Sequence, residues 1–170
     1  MNSKVIGAML ILGPILTMGT WMVYNVETSG MSVPNILGAL LAEEGKVQIG
    51  TAIRILGLTS MFMGLYFLSR TLKSDNTVSN VASEIGGLLL LLCIPIWILL
   101  EGSHVAAINA VDNLDKNAGE TIIAASRMLR TVFFPFAGGI FLLGLAMTVL
   151  RRYKGIIGVL FMLTSAAGFV

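Results

Sequence analysis

Six side chains in this sequence carry chemistry that an apolar protein does not need for packing: Arg54, Trp97, Glu101, His104, Arg127 and Arg130. Glu101 and His104 stand three positions apart, so on a helix they share a face one turn from each other. Trp97 lies one turn before Glu101. A carboxylate beside an imidazole can hold an ion pair, pass a proton or fix a polar ligand. Arg127 and Arg130 have the same spacing and offer two permanent cations that suit carboxylates or phosphates.

Other chemistries fail on ligand count. Glu101-Gly102-Ser103-His104 has the E-x-x-H form used by di-iron bundles, but the chain has one histidine, so the motif's second copy is missing. The same count excludes a bis-His haem and every multi-His metal site. A His/Met haem is left with ten methionines and no motif, and methionine in an apolar run is ordinarily packing. Ser103 is adjacent to His104 and cannot face it on a helix, which removes that serine as an activated nucleophile. Cys93, beside Pro95, reads as a small buried residue. The expectation is no metal, no cofactor and no catalytic residue.

The elements that must position these groups are hydrocarbon. The chain has 170 residues, 56% hydrophobic and 12% charged, with a mean hydropathy of +0.89. A soluble domain carries about 25% charged residues. The net charge of +2 gives no reason to expect nucleic acid. A single cysteine excludes an internal disulfide. The apolar runs are each long enough to cross ~30 Å of hydrocarbon. The expected fold is all-α: an integral membrane helix bundle of five transmembrane helices plus a short interfacial helix, forming one domain over 1–170. The spans fall at about 5–24, 47–69, 81–104, 120–150 and 155–170. The first follows Lys4, is longer than a signal-peptide core and reads as a retained span.

Local signals refine this picture. Pro14 and Pro95 predict kinks in the first and third spans. Gly50, Gly57 and Gly64 recur every seven residues on one face with Arg54 and Met61, which marks a helix contact and turns Arg54 into the protein. Ser32 before Val33-Pro34 predicts a helix start, and Ile36, Leu37, Leu40 and Leu41 give the helix at about 33–43 an apolar stripe for the membrane surface or a re-entrant path. An acidic loop is expected over Asp112–Gly119.

Charge sets the orientation. With the N-terminus inside, Lys4, Arg70, Lys73, Arg151, Arg152 and Lys154 are cytoplasmic and the outer loops keep Lys46 and Lys116. The C-terminus is then outside. Counting ~1.5 Å per residue from the inner ends places Arg54 about 24 Å and Glu101 about 25 Å deep, with Arg130 at about 31 Å. A lone charge at such depth costs a few kcal/mol, and an opposite charge at the same level offsets it. Glu101 is therefore expected to pair with Arg54 or with Arg130, with His104 adjoining, in a cavity open to the outer side and Glu43 and Glu44 near its mouth. The plainer alternative for Arg127 and Arg130 is snorkelling to headgroups. Phe133, Phe134 and Phe136 suit lipid or core contact, or the wall of an apolar pocket.

Three stretches carry a likeness to known proteins: Glu44-Gly45-Lys46-Val47-Gln48-Ile49-Gly50 leading into the second span, Leu68-Ser69-Arg70-Thr71-Leu72-Lys73-Ser74-Asp75-Asn76 after it, and Gly144-Leu145-Ala146-Met147-Thr148-Val149-Leu150-Arg151-Arg152-Tyr153-Lys154-Gly155-Ile156-Ile157-Gly158 near the end. With the glycine-rich first span they resemble a family of small prokaryotic multi-span membrane proteins, a domain-of-unknown-function group. Such proteins often carry an X-Pro-Arg-Trp-like turn before the last span, from which Arg152-Tyr153-Lys154-Gly155 departs. The resemblance implies a polytopic membrane protein and no particular reaction. The first functional reading is a binding or accessory protein of the cell membrane, holding a lipid, a small molecule, a partner or a second copy. The second is a subunit of a larger membrane enzyme complex. The third is a small transporter or proton-coupled enzyme using Glu101 and His104.

Overall fold

The structure is a computed structural model that describes residues 2–150 and 156–167. Every regular element among them is helical: α1 (Ser3–Tyr24), α2 (Val33–Ala42), α3 (Glu44–Thr71), α4 (Thr77–Asn113), α5 (Lys116–Ser126), a 3-10 turn (Arg127–Val132), α6 (Phe133–Val149) and α7 (Ile156–Ala167). Four stretches are long and apolar enough to cross a membrane: Ser3–Tyr24, Glu44–Thr71, Thr77–Asn113 and Lys116–Val149. The expected fifth span corresponds to α7, whose 12 described residues rise only ~18 Å. Gly155 and residues 168–170 of that expected span lie outside the described residues. So do the cations Arg151, Arg152 and Lys154 and the turn Arg152–Gly155.

Helix boundaries depart from the hydropathy reading for identifiable reasons. α4 begins at Thr77 rather than near Val81 because Asn76 caps it, its Oδ1 accepting from the Ser79 amide at 3.1 Å. Its 37 residues extend about 55 Å, well beyond ~30 Å of hydrocarbon. The acidic loop shrinks to Leu114-Asp115, because Asp115 caps α5 by accepting from the Ala118 amide at 2.8 Å. The stretch expected as one helix over 120–150 is divided by the 3-10 turn. Pro135 supplies the cause: it has no amide hydrogen, and its ring crowds the carbonyl of Thr131 four residues back. Proline is accepted in the first turn of α6, where no such bond is required. Pro14 and Pro95 both sit inside continuous helices.

The residues group into two compact units. The first comprises 1–11, 60–94 and 132–170, and the second 12–59 and 95–131. The first unit is held by close backbone approach. A Cβ on Gly86 would meet the Gly139 carbonyl at 3.0 Å, and one on Gly139 would meet the Gly86 carbonyl at 3.1 Å. α6 and α7 meet in the same reciprocal way, each of Gly144 and Gly158 placing its hypothetical Cβ 2.6 Å from the other's carbonyl. Without side chains at these points, helices come close enough for weak Cα–H···O contacts and wide dispersion contact. Phe62 and Phe136 add an edge-to-face pair with centroids 5.5 Å apart. The buried serines Ser69, Ser79 and Ser83 all donate to backbone carbonyls.

The second unit contains a side-chain core. Ile36, Leu37 and Leu40 of α2 and Val47 of α3 are buried against Ala107 and Ile108 of α4 and Ile123 of α5. The apolar stripe of α2, expected to face a membrane surface, is thus covered by protein. Ser32 occupies the N-cap position of α2 in extended backbone, but its side chain makes no capping bond. The approach to α2 turns at Gly30, whose φ of +71° is left-handed and suits glycine.

Candidate functional site

Arg54 and Glu101 meet inside the second unit. Arg54 Nε donates to Glu101 Oε2 at 2.7 Å, and the two residues are only 6% and 8% exposed. The geometry follows from α3. Its side chains lean toward the helix N-terminus, so the guanidinium lies back over Gly50, with Nη1 3.2 Å from where a Cβ would be. Nη2 is 3.4 Å from Thr51 Oγ1, one turn earlier. The same absent Cβ admits α1, because it would stand 2.8 Å from Tyr24 Cβ. Further along α3, a Cβ on Gly57 would strike Thr17 Oγ1 at 2.6 Å and the Gly13 carbonyl at 2.9 Å. The glycine face therefore brings α1 against α3 and leaves the arginine room to fold down.

His104 is half-buried on α4, one turn from Glu101, within electrostatic reach of Glu101, Arg54 and Arg130. Trp97 is half-buried one turn before Glu101. Arg127 and Arg130 are exposed on the 3-10 turn, where positions three apart eclipse one another. The Arg127 guanidinium donates to the Met31 carbonyl at 3.2 Å, which ties the turn to the segment before α2. Of the two arginines that could have neutralised Glu101, the structure joins Arg54 to it. Glu43 pairs with Lys46, and Glu44 accepts from Gln48 at 2.6 Å, so both acids are engaged at the start of α3.

No protein-family model, curated protein or solved structure matches the chain. The site is therefore interpreted from its own geometry. Among the described residues no cluster of three or more His, Cys, Asp or Glu could hold a metal. The Glu101 carboxylate is committed to Arg54 by a buried, charge-assisted hydrogen bond. Arg127 and Arg130 have no carboxylate partner among the described residues. With one acid set against Arg54 and Arg130, the surroundings of His104 hold a surplus positive charge, which suits an anionic group. Outside the spans, hydrogen bonds from the Ser29 hydroxyl and amide hold the Glu27 carboxyl below the usual glutamate range.

Three contributors escaped the sequence reading: Thr51, Tyr24 and the Met31 carbonyl. Thr51 had a signal, since it stands three before Arg54. The Met31 carbonyl had none, because backbone acceptors are invisible to residue type.

Proposed function

We propose that the chain is a binding or accessory protein of the cell membrane, without catalytic activity of its own, whose second unit forms a recognition site at the outer surface. The observation that carries this reading is the buried Arg54–Glu101 pair. An ion pair removed from water rarely adds net stability over an apolar pair of similar size, so its presence supports a role in holding a polar surface in one arrangement. The charge asymmetry of the termini and loops supports the N-terminus inside. In this topology α7 makes a fifth, short crossing and the C-terminus lies outside. α2 then caps the outer end, packed on the stretch of α4 that outruns the bilayer. The likeness to small prokaryotic multi-span proteins agrees with this reading and adds no reaction.

Native mass spectrometry of the gently extracted full chain tests it. A retained ligand, lipid or partner that is lost in the Glu101→Gln variant is expected. A chain that emerges bare from several mild detergents, with Glu101→Gln unaltered in fold, would refute the reading. Recovery only as a stoichiometric component of an active enzyme assembly would replace it with the subunit alternative.

A further inference from the structure

The Arg54–Glu101 pair lies along a seam that α2 closes at one end, and every residue of that seam belongs to the second unit. On α3, Arg54, Thr51 and Val47 are buried at intervals of three and four residues, so they share one face. On α4, Glu101, Val105 and Ile108 have the same spacing. Val47, Val105 and Ile108 pack in the cluster around Ile36, Leu37 and Leu40 of α2. Seven positions separate Arg54 from Val47 and Glu101 from Ile108, a rise of about 10 Å on each helix. The apolar face of α2 thus shuts the seam two turns beyond the charges.

The hold on α2 can be broken and remade. Ile36, Leu37 and Leu40 are held by apolar burial, which sets no direction. The Arg127 guanidinium adds an exposed hydrogen bond to the Met31 carbonyl at 3.2 Å. Ser32, at the N-cap, adds no side-chain bond. Both flanks of α2 interrupt regular backbone. Before it, Gly30 has a φ of +71° and nothing within 4 Å of a hypothetical Cβ. After it, Glu43 leaves the helical region, with φ −125° and ψ 34°, and α3 begins at Glu44. A helix of 10 residues between two such points can turn as a unit. The pair it covers keeps bonding capacity. Among the described bonds the pair uses Glu101 Oε2 and Arg54 Nε and Nη2. Glu101 Oε1 remains as an acceptor and Arg54 Nη1 as a donor.

We propose that α2 is a lid over this pair, turning about Gly30 and Glu43 with Arg127 as its latch, and that its opening admits a small polar molecule that donates to Glu101 and accepts from Arg54. The lid rests on the reading of the pair as a recognition site and supplies the route by which that site is reached.

Cysteine labelling of the full chain in liposomes tests the lid, with Cys93→Ser as background and Thr51→Cys as reporter. The probe is a membrane-impermeant methanethiosulfonate. The reporter should label far more slowly than the exposed reference Thr121→Cys. Releasing the latch with Arg127→Gln should speed it about fivefold, the effect of one hydrogen bond on an opening equilibrium. Leu37→Ala should speed it at least about 30-fold through lost burial. Gly139→Ala, which disturbs the first unit, should leave the rate unchanged. Hydrogen exchange of the chain without cysteine changes is an independent readout, because a released helix of this length is marginal in water. The α2 amides should exchange together and ahead of those of α3 and α4, and Arg127→Gln should speed them by the same factor. Labelling of the reporter at the reference rate, an equal rise with Gly139→Ala, or exchange of α2 only in step with α3 and α4 would each overturn the lid. A ligand retained in native mass spectrometry alongside any of those results would leave the recognition site standing without a lid. An opening lid on a chain that retains nothing would keep the lid and remove the recognition site.

Discussion

The two units bury hydroxyls alike and differ in what the second buries besides. In the first, the buried polar side chains among the described residues are serines, each returning its hydroxyl to a backbone carbonyl. Helix contact there depends on glycine, through the reciprocal approaches of Gly86 with Gly139 and Gly144 with Gly158. In the second, Thr20, Ser103 and Ser126 do the same, but a guanidinium and a carboxylate are also buried together, and an aliphatic cluster joins α2, α3, α4 and α5. The difference teaches where each unit's specificity resides. The first is specified by shape, since closely packed backbones tolerate no added atom. The second adds charge and side-chain volume to its own glycine contact at Gly50 and Gly57.

The largest expected effect lies in the charged pair. Arg54→Met or Glu101→Leu alone should cost about 3–5 kcal/mol, because each leaves a buried charge without its partner. The double variant should recover most of that loss, as apolar groups replace both charges. Unfolding of all three variants in one lipid-detergent mixture gives the coupling energy. If the double variant loses the sum of the single losses, the two side chains are not coupled and the contrast between the units fails.

Next is the aliphatic cluster. Leu37 is fully buried among α2, α4 and α5, so Leu37→Ala should cost about 2–5 kcal/mol by lost contact and residual cavity. Hydrogen exchange should rise across α2 and α5 and stay unchanged in α6. Unaltered exchange in α2 would mean that its apolar face is not held by this cluster.

The glycines sharpen the first unit. A methyl on Gly139 would stand 2.8 Å from Leu90 Cγ and 3.1 Å from the Gly86 carbonyl. Gly139→Ala should therefore destabilise by about 1–3 kcal/mol through overpacking. Gly102, on α4 beside Glu101, has nothing within 4 Å of its hypothetical Cβ. Gly102→Ala should stabilise by up to about 1 kcal/mol, the ordinary helix preference for alanine. Melting temperatures that move in the same direction for both would show that backbone proximity does not govern the first unit.

These features were legible in the sequence to different degrees. Hydropathy marks the stretches that became α1, α3, α4 and α6, because a bilayer imposes length and apolarity on every spanning helix. Residue counting puts Arg54 and Glu101 at one depth, and the Gly50–Gly57 spacing marks the side of α3 that receives α1. The glycine crossings of α6 were not legible, since a reciprocal contact requires knowing which two helices meet. The cover over α2 was hidden for a related reason: an apolar stripe fits a membrane surface or a protein surface equally well. Pro135 carried the break before α6 in plain view, but hydropathy averages across it.

The smallest effect tests whether α5 belongs to a solvent-facing core. Asp115 caps α5 from an exposed position, accepting from the Ala118 amide. Asp115→Ala should cost about 1 kcal/mol, the usual value of an N-cap. Asp115→Asn should cost less, because asparagine retains the acceptor and gives up only the charge that favours a helix N-terminus. The cost of Asp115→Asn should shrink as salt is raised, since an exposed charge is screened by water and ions, while the difference between the two variants, which is the lost acceptor, should stay. If the segment carrying Asp115 were instead immersed in lipid, removing its charge would raise stability in both variants, and salt would leave the effect of Asp115→Asn untouched.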